Sequence, residues 1–312
     1  MRFLGLGKKK DDGKKAHGPQ LAEYQSPFPM TGEIVEDEGT LYVTPSQADF
    51  LKFRNMMDTM DGFTLRVAKD NSLVWDKRVK GEPMVVIKAF TTIDCPPAVL
   101  WDVLHDPLYR IEWDDARLEG YLVTQLTPNC DIGYYGAKAQ KPVYNRDFLN
   151  QRAWYSAGDG EYVIMSTSVP HARCPDQKGF VRAVSKISGY LVRPWGNGCS
   201  LTYISNADPK GWIPTTFVNM LVSKFSPAML EKIRKAAIGW ESWKNTQPSW
   251  KRLWEQEPRP WPEPQKSDTH TYFQDRIAGG APPPVEELVD ASPAASPSEL
   301  DREEEEPMPS TA

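Results

Sequence analysis

The sequence predicts an α+β fold in which an antiparallel sheet is covered by one long helix near the C-terminus. Apolar and polar residues alternate along several consecutive segments, which is typical of strands with one buried face. Short turns such as Asp159-Gly160 and Gly196-Asn197-Gly198 separate these segments, so neighbouring strands are expected to run antiparallel. After Pro214 an apolar residue recurs at three-to-four spacing, which predicts a helix that packs by one face.

The N-terminal region is predicted to be a disordered tail over residues 1–41. It combines lysine clusters with glycines and helix-breaking prolines. We interpret the lysines as part of a solvated tail, with contact to an anionic membrane surface as the alternative. The ordered domain is placed at residues 42–257, and its first helix starts after Thr44-Pro45-Ser46.

Two short helices are predicted after three N-terminal strands. Pro96-Pro97 can open the first helix, and the second follows Pro107 and carries Arg110, Trp113 and Asp114. Because Arg110 and Asp114 are four residues apart, their side chains lie one helical turn apart on the same side. Two interpretations are open: a solvated ion pair, or a guanidinium held ready for an anionic ligand.

The rest of the predicted domain consists of six alternating segments and one helix with an apolar stripe. The predicted strands are 118–126, 132–139, 148–155, 162–169, 179–192 and 199–207. The apolar stripe of the covering helix consists of Phe217, Leu221, Phe225, Met229 and Ile233. Pro227 should bend this helix because proline removes a backbone donor.

The C-terminal region changes composition past Gly239. Tryptophans lie there among prolines and charged residues, and we expect a helical extension to about Trp254 that packs on the domain. Residues 258–312 are rich in Pro, Ser and Glu and should be disordered. Ser298 precedes acidic residues at +1 and +3, so an acidophilic kinase could phosphorylate it; an unmodified tail is the alternative.

Composition excludes several classes of function. The net charge of -5 argues against general binding of nucleic acids. The four cysteines form no C-x-x-C pair, which favours free thiols, and the four histidines show no zinc-binding spacing. No segment suggests a cofactor, a membrane span or a secretory signal, so we expect a soluble cytoplasmic protein.

The sequence gives no reason to predict an enzyme. It lacks G-x-S-x-G, P-loop and G-x-G-x-x-G motifs in a strand-to-helix context. Asp114 and Asp115 are neighbours whose side chains diverge on a helix, and Cys95 and His105 are separated by a proline turn.

Several motifs together resemble one family. They are the segment Leu100–Tyr121, the strings Asp131-Ile132-Gly133-Tyr134-Tyr135 and Lys141-Pro142-Val143-Tyr144-Asn145-Arg146-Asp147-Phe148, the pair Val181-Arg182-Ala183-Val184 and Gly189-Tyr190, and Asp208-Pro209-Lys210-Gly211-Trp212-Ile213-Pro214. Their order and spacing resemble those of START (StAR-related lipid transfer) domains, in the phosphatidylcholine transfer protein-like subgroup. The resemblance implies a helix-grip fold: a curved antiparallel sheet wrapped around a long C-terminal helix, with a hydrophobic tunnel that encloses one lipid.

The resemblance also implies a binding site. In the phosphatidylcholine-binding relatives, residues at the positions of Arg110 and Asp114 meet the lipid phosphate. Two positions of their aromatic head-group cage fall on Tyr135 and Phe148, while the third falls near Lys186, which is not aromatic. The tunnel wall and lid would then be formed by Trp113, Phe217, Leu221, Phe225 and Met229. The altered cage suggests that ethanolamine is admitted as well as choline.

The function expected from these features is non-enzymatic transfer of one glycerophospholipid, phosphatidylcholine or phosphatidylethanolamine, between membranes. Its partners would be the phospholipid and, transiently, the membrane surface. A lipid sensor or adaptor that does not transfer its ligand is the main alternative. A cavity enzyme of the cyclase or hydratase kind is the third, and it would need an acid/base set that the sequence does not reveal.

Overall fold

The computed structural model describes residues 19–23, 26, 28–69, 71–82 and 84–262. Its N-terminal part is a small sheet of three strands followed by a helix. These elements are β1 (Gln20–Leu21), β2 (Ile34–Asp37), β3 (Thr40–Val43) and α1 (Gln47–Asp58). Ser46 caps α1, because its hydroxyl accepts the Asp49 N–H while the Asp49 carboxylate accepts the Ser46 N–H.

The main sheet confirms the predicted α+β class. Its strands are β4 (Thr64–Lys69), β5 (Ser72–Arg78), β6 (Val85–Ile93), β7 (Arg117–Thr127), β8 (Cys130–Ala137), β9 (Asn145–Ser156), β10 (Tyr162–Ser168), β11 (Phe180–Arg182), β12 (Val184–Trp195) and β13 (Gly198–Asp208). The order is β4-β5-β6-β13-β12-β10-β9-β8-β7, antiparallel throughout, and β11 pairs parallel with β9. The segment predicted as one strand over 179–192 is two, divided where Ala183 donates its N–H to the Asp147 carbonyl.

Four helices belong to the inner side of this sheet. They are α2 (Pro97–His105), α3 (Tyr109–Trp113), α4 (Thr215–Met220) and α5 (Ser226–Lys244), with a π-helical turn, Leu221–Phe225, between the last two. Helices α2 and α5 pack on the inner face through a core that includes Leu100, Leu230 and Ile233. Helix α1 covers the outer face through Phe50, Phe53 and Met57. Within the described part of the chain, no helix has the length and apolar character needed to cross a membrane.

The prediction that residues 1–41 are disordered is wrong for the part that the structure describes. Strands β1 to β3 lie there, and β2 and β3 form a hairpin. Tyr42 is fully buried and donates its hydroxyl hydrogen to the Pro170 carbonyl. The Asp37 carboxylate contacts both His171 Nε2, at 3.0 Å, and an Arg173 amino group, at 2.8 Å. The local composition of residues 1–41 predicted a tail. Composition cannot reveal the partners that order this segment, because they are more than a hundred residues away in sequence.

The C-terminal prediction needs two corrections. Helix α5 ends at Lys244, so the expected helical extension to Trp254 is wrong; residues 245–262 form turns and extended chain. The expected disorder from residue 258 is also wrong up to 262, since the Arg259 N–H donates to the Ser156 carbonyl and Trp261 stacks on Tyr155. The tryptophans do pack on the domain as expected. Ser298 and the rest of the predicted tail lie outside the described residues.

Candidate functional site

Helix α3 presents the predicted arginine to the interior. Its first turn is fixed by Asp106, whose carboxylate accepts the Leu108 and Tyr109 N–H groups, both at 2.8 Å, and whose carbonyl accepts the Arg110 N–H. The Tyr109 hydroxyl donates to the Ala236 carbonyl at 2.8 Å. These bonds hold α3 against α5, so the direction of Arg110 is determined by both helices.

Arg110, Asp114 and Tyr135 form one hydrogen-bonded group. Arg110 Nε donates to Asp114 Oδ2 at 2.9 Å, and the Tyr135 hydroxyl donates to the same oxygen at 3.0 Å. The guanidinium carbon lies 5.0 Å from the ring centroid of Trp113 and 5.4 Å from that of Tyr135. Asp114 therefore orients the guanidinium while two aromatic faces flank it.

The guanidinium is enclosed but not fully packed. Its side chain keeps 27% of its accessible surface, while the rings of Trp113 and Tyr135 lie beside it. Burial alone would lower the pKa of Arg110, but attraction to Tyr190, Asp114 and Tyr135 raises it above its usual value. Arg110 is thus a permanently charged donor that keeps accessible surface while its Nε atom is hydrogen-bonded to Asp114.

The predicted head-group cage is assembled only in part. Tyr135 belongs to the Arg110 group, and Phe148 is its register partner on β9. Lys186, the third expected position, instead forms an ion pair with Glu82. Tyr190 on β12 lies beside the guanidinium in its place, and its ring centroid is 5.1 Å from that of Tyr203 on β13.

A second enclosed ion pair was missed by sequence reasoning. Arg152 on β9 binds the Asp131 carboxylate with two nitrogens, at 2.8 and 2.6 Å. The Arg152 side chain keeps 41% of its accessible surface, whereas the Asp131 side chain is buried. The strand period could have found this pair, because Arg152 lies four residues from Phe148 and therefore shares its face.

The pKa values of three tyrosines and one histidine in this region are shifted by burial. Burial raises the pKa values of Tyr135, Tyr190 and Tyr203, so these phenols are neutral hydrogen-bonding groups at physiological pH. Burial, with Arg152 nearby, also lowers the pKa of His105 well below its usual value. The ring of His105 stacks on Trp254, and Cys95 Sγ lies 3.8 Å from Cys199 Sγ.

The predicted wall and lid residues surround the core at half-burial. Trp113, Leu221 and Met229 pack against the inner core, and the rings of Phe217 and Phe225 are 5.8 Å apart. The fully buried positions of this region are Val222, Leu230 and Ile233. Of the five predicted stripe residues only Ile233 is fully buried; around the π-helical turn, Val222 and Leu230 are buried in place of the predicted Leu221 and Met229.

Comparison with known proteins gives a consistent result. A family model described as START domain matches residues 63–238. START domain-containing protein 10 of Mus musculus is 36% identical over 227 residues, which is 72% of this chain and 75% of that protein. The crystal structure of human STARD10 has a TM-score of 0.65 at 35% identity and covers 70% of this chain and 91% of that one. Human StAR-related lipid transfer protein 5, at 19% identity and a TM-score of 0.56, shares the fold.

Proposed function

The chain belongs to the START-domain family, and from this premise we propose that it is a non-enzymatic carrier of one glycerophospholipid, phosphatidylcholine or phosphatidylethanolamine. Relatives that carry lipid transfer in their names support binding and transfer of a lipid. The observation that supports a phospholipid is the Arg110 guanidinium, which is paired with Asp114, flanked by two aromatic rings and still keeps accessible surface.

A phosphodiester is the anion that suits this arrangement. A phosphate that leaves water needs charge-assisted donors, and guanidinium offers two in a planar fork. Asp114 keeps Arg110 compensated when no ligand is bound, since an unpaired buried charge is costly. The acyl chains would lie along the apolar half of the inner core, where each CH₂ removed from water contributes about 0.8 kcal/mol.

The head group would meet aromatic faces. Tyr135, Tyr190 and Tyr203 lie around Arg110, and Phe148 pairs with Tyr135 on the neighbouring strand. Aromatic faces attract both trimethylammonium and primary ammonium groups by cation–π interaction. This is why we propose both choline and ethanolamine lipids as ligands.

Transfer requires contact with a membrane, and two exposed aromatic residues support one surface for it. Tyr144 and Trp212 are 74% and 61% exposed, in the loops that follow β8 and β13. Arg146 joins these loops: it donates to the carbonyls of Tyr144, Pro209 and Lys210. Aromatic side chains of this kind favour the membrane interface. We therefore propose a cytoplasmic protein that contacts membranes transiently.

The decisive test is Arg110→Leu. We expect it to abolish extraction of phospholipid from vesicles while thermal unfolding stays near that of the wild type. Asp114→Leu should weaken both binding and stability, by about 3–5 kcal/mol of unfolding free energy if its loss leaves Arg110 unpaired in the interior. Arg173→Leu is the matched control, since it removes an Arg–Asp pair at the surface.

Two outcomes would change the proposal. Normal phospholipid binding by Arg110→Leu would contradict the assigned phosphate site. Tight binding by the wild type without transfer between vesicles would favour a lipid sensor or adaptor over a carrier.

A further inference from the structure

The segment that follows α5 is anchored by an unusual set of hydrogen bonds. We call residues 245–262 the C-terminal strap; it lies beyond residue 238, where the match to the family model ends. Each of its tryptophans donates its indole N–H to a carboxylate. The pairs are Trp250 with Asp106 at 2.6 Å, Trp254 with Asp102 at 3.0 Å and Trp261 with Glu161 at 3.0 Å.

The first half of the strap binds the α2 helix. Arg252 donates from two nitrogens to the two oxygens of Asp102, at 2.7 and 2.6 Å, and Trp254 donates to the same carboxylate. Asp102 and Asp106 are both buried. Bonds between ionised and neutral partners are about twice as strong as those between neutral groups, so the strap holds this helix firmly.

Asp106 links the strap to the proposed phosphate site. One carboxylate oxygen holds the first two N–H groups of α3, the Asp106 carbonyl accepts the Arg110 N–H, and the other oxygen accepts Trp250 Nε1. Helix α3 spans only Tyr109–Trp113, and so short a helix does not maintain its own geometry. Its orientation depends on Asp106 and on the Tyr109 contacts with α5.

We propose that Trp250 is a positioning residue for Arg110. It fixes the Asp106 carboxylate in the rotamer that holds α3, and α3 in turn directs the guanidinium into the interior. This inference rests on the proposed phospholipid function and adds a determinant outside the family's domain. The effect is transmitted through Asp106, because Trp250 forms its hydrogen bond with that carboxylate.

The strap offers its own matched control. Trp250→Phe keeps an aromatic ring against Trp240 but removes the N–H donor. Trp261→Phe removes the same kind of bond from Glu161 on the outer face, where the residue stacks on Tyr155. The two variants, in the full-length chain, are compared in thermal unfolding and in equilibrium binding of fluorescent phosphatidylcholine offered in phosphatidylcholine or mixed phosphatidylcholine–phosphatidylethanolamine vesicles.

We expect Trp250→Phe to weaken lipid binding about two- to thirtyfold, the range typical of residues that act through a connected network. Trp261→Phe should leave lipid binding unchanged even if it lowers the unfolding temperature as much. Equal weakening by both variants, or no weakening by either, would overturn the inference.

A second comparison separates this inference from the proposed function. In the Arg110→Lys background, which keeps the charge but loses the planar fork and so weakens lipid binding without abolishing it, Trp250→Phe should weaken binding less than it does in the wild type. If Arg110→Leu alone binds lipid normally, the proposed phosphate site is wrong, and the inference that Trp250 positions Arg110 for the phosphate is wrong as well. If Arg110→Leu abolishes binding while Trp250→Phe does not weaken it, only the role of Trp250 is wrong.

Discussion

Two arginines supply the positive charges of the candidate site. Arg110 and Arg152 are each paired with one carboxylate, Asp114 and Asp131, and each retains accessible surface. Since each pair is neutral as a whole, a neutral zwitterionic lipid preserves the charge balance of the site. The guanidinium and the ammonium group of a bound lipid would contact the same aromatic rings, because the Arg110 guanidinium carbon already lies 5.4 Å from the ring centroid of Tyr135.

Low selectivity between lipid head groups is expected, because the guanidinium and the ammonium group would contact the same rings. We expect phosphatidylcholine and phosphatidylethanolamine to be taken up comparably, because a cage partly used by Arg110 gives choline little advantage. Competition between the two lipids in a vesicle transfer assay measures the ratio. A preference above about a hundredfold, or about 2.7 kcal/mol, would show that a selective head-group pocket exists after all.

Lys88 is a residue whose environment controls stability rather than binding. It is fully buried on β6, and its ammonium donates to the carbonyls of Met56, Met57 and Thr59 at the end of α1. It also lies 4.5 Å from the ring centroid of Phe63. Burial lowers the pKa of Lys88 to about 7, which the nearby Asp58 opposes and Lys77 reinforces.

The pKa of Lys88 predicts a pH dependence of folding. From about pH 10 down to about pH 7 the unfolded chain binds a proton at this lysine that the folded protein does not, so stability should fall as the pH falls. Below about pH 7 both states are protonated and the effect is constant. Urea unfolding of the wild type and Lys88→Met across this range tests it; parallel profiles would contradict the assignment.

At the scale of elements, the covering helix is divided by its π-helical turn. Pro227 follows directly and cannot donate a backbone hydrogen to the Ser223 carbonyl, while the Ser226 hydroxyl donates to the Leu221 carbonyl at 2.7 Å. A wider turn is therefore stabilised at Leu221–Phe225, between α4 and the firmly packed α5. The strap contacts the other end of α5 through the rings of Trp250 and Trp240. We therefore propose the π-helical turn as a hinge that opens during lipid exchange.

Restoring a regular helix should slow exchange. Pro227→Ala returns the missing N–H and favours α-helical bonding through the turn. We expect the rate of lipid transfer to fall several-fold with equilibrium binding unchanged, as measured by stopped-flow transfer between vesicles. Ser242→Ala, at an exposed position of α5, is the control; equal rates for all three proteins would show that this turn is not the hinge.

At the scale of the whole molecule, the two most exposed aromatic side chains of the described residues lie in two loops that contact each other. Tyr144 and Trp212 lie in loops that Arg146 ties together, and Lys138, Lys141 and Lys210 belong to the same loops. The strap and α1 occupy other parts of the surface, on α2 and on the outer face. We propose that the loops with Tyr144 and Trp212 are the part of the surface that contacts the membrane.

The proposed location of the membrane contact can be tested by replacing exposed aromatic and apolar residues. Trp212→Ala and Tyr144→Ala should each reduce sedimentation with phospholipid vesicles and slow transfer, without changing the unfolding temperature. Leu253→Ala is the control, because Leu253 is 81% exposed on the strap. If all three variants lose vesicle binding equally, membrane contact depends on general hydrophobicity and not on these loops.

The sequence by itself determined the local features of this protein. Period-two alternation placed the strands of the main sheet, and the four-residue spacing of Arg110 and Asp114 placed their ion pair. Both signals act between residues that are close along the chain, so a single sequence carries them completely. The apolar stripe likewise predicted the covering helix, although Val222 and Leu230 are buried in place of the predicted Leu221 and Met229.

Only the tertiary structure decided which distant residues meet. Tyr190 and Arg152 reach the interior from strands whose partners are set by sheet order, and neither stands in a motif that marks it. Residues 1–41 were predicted to be disordered, and the strap to be helical up to about Trp254 and disordered from residue 258, because local composition was the only guide. The described residues of both segments are ordered by buried carboxylates and carbonyls far away in sequence, and the polarity of a segment does not reveal whether the fold supplies such partners.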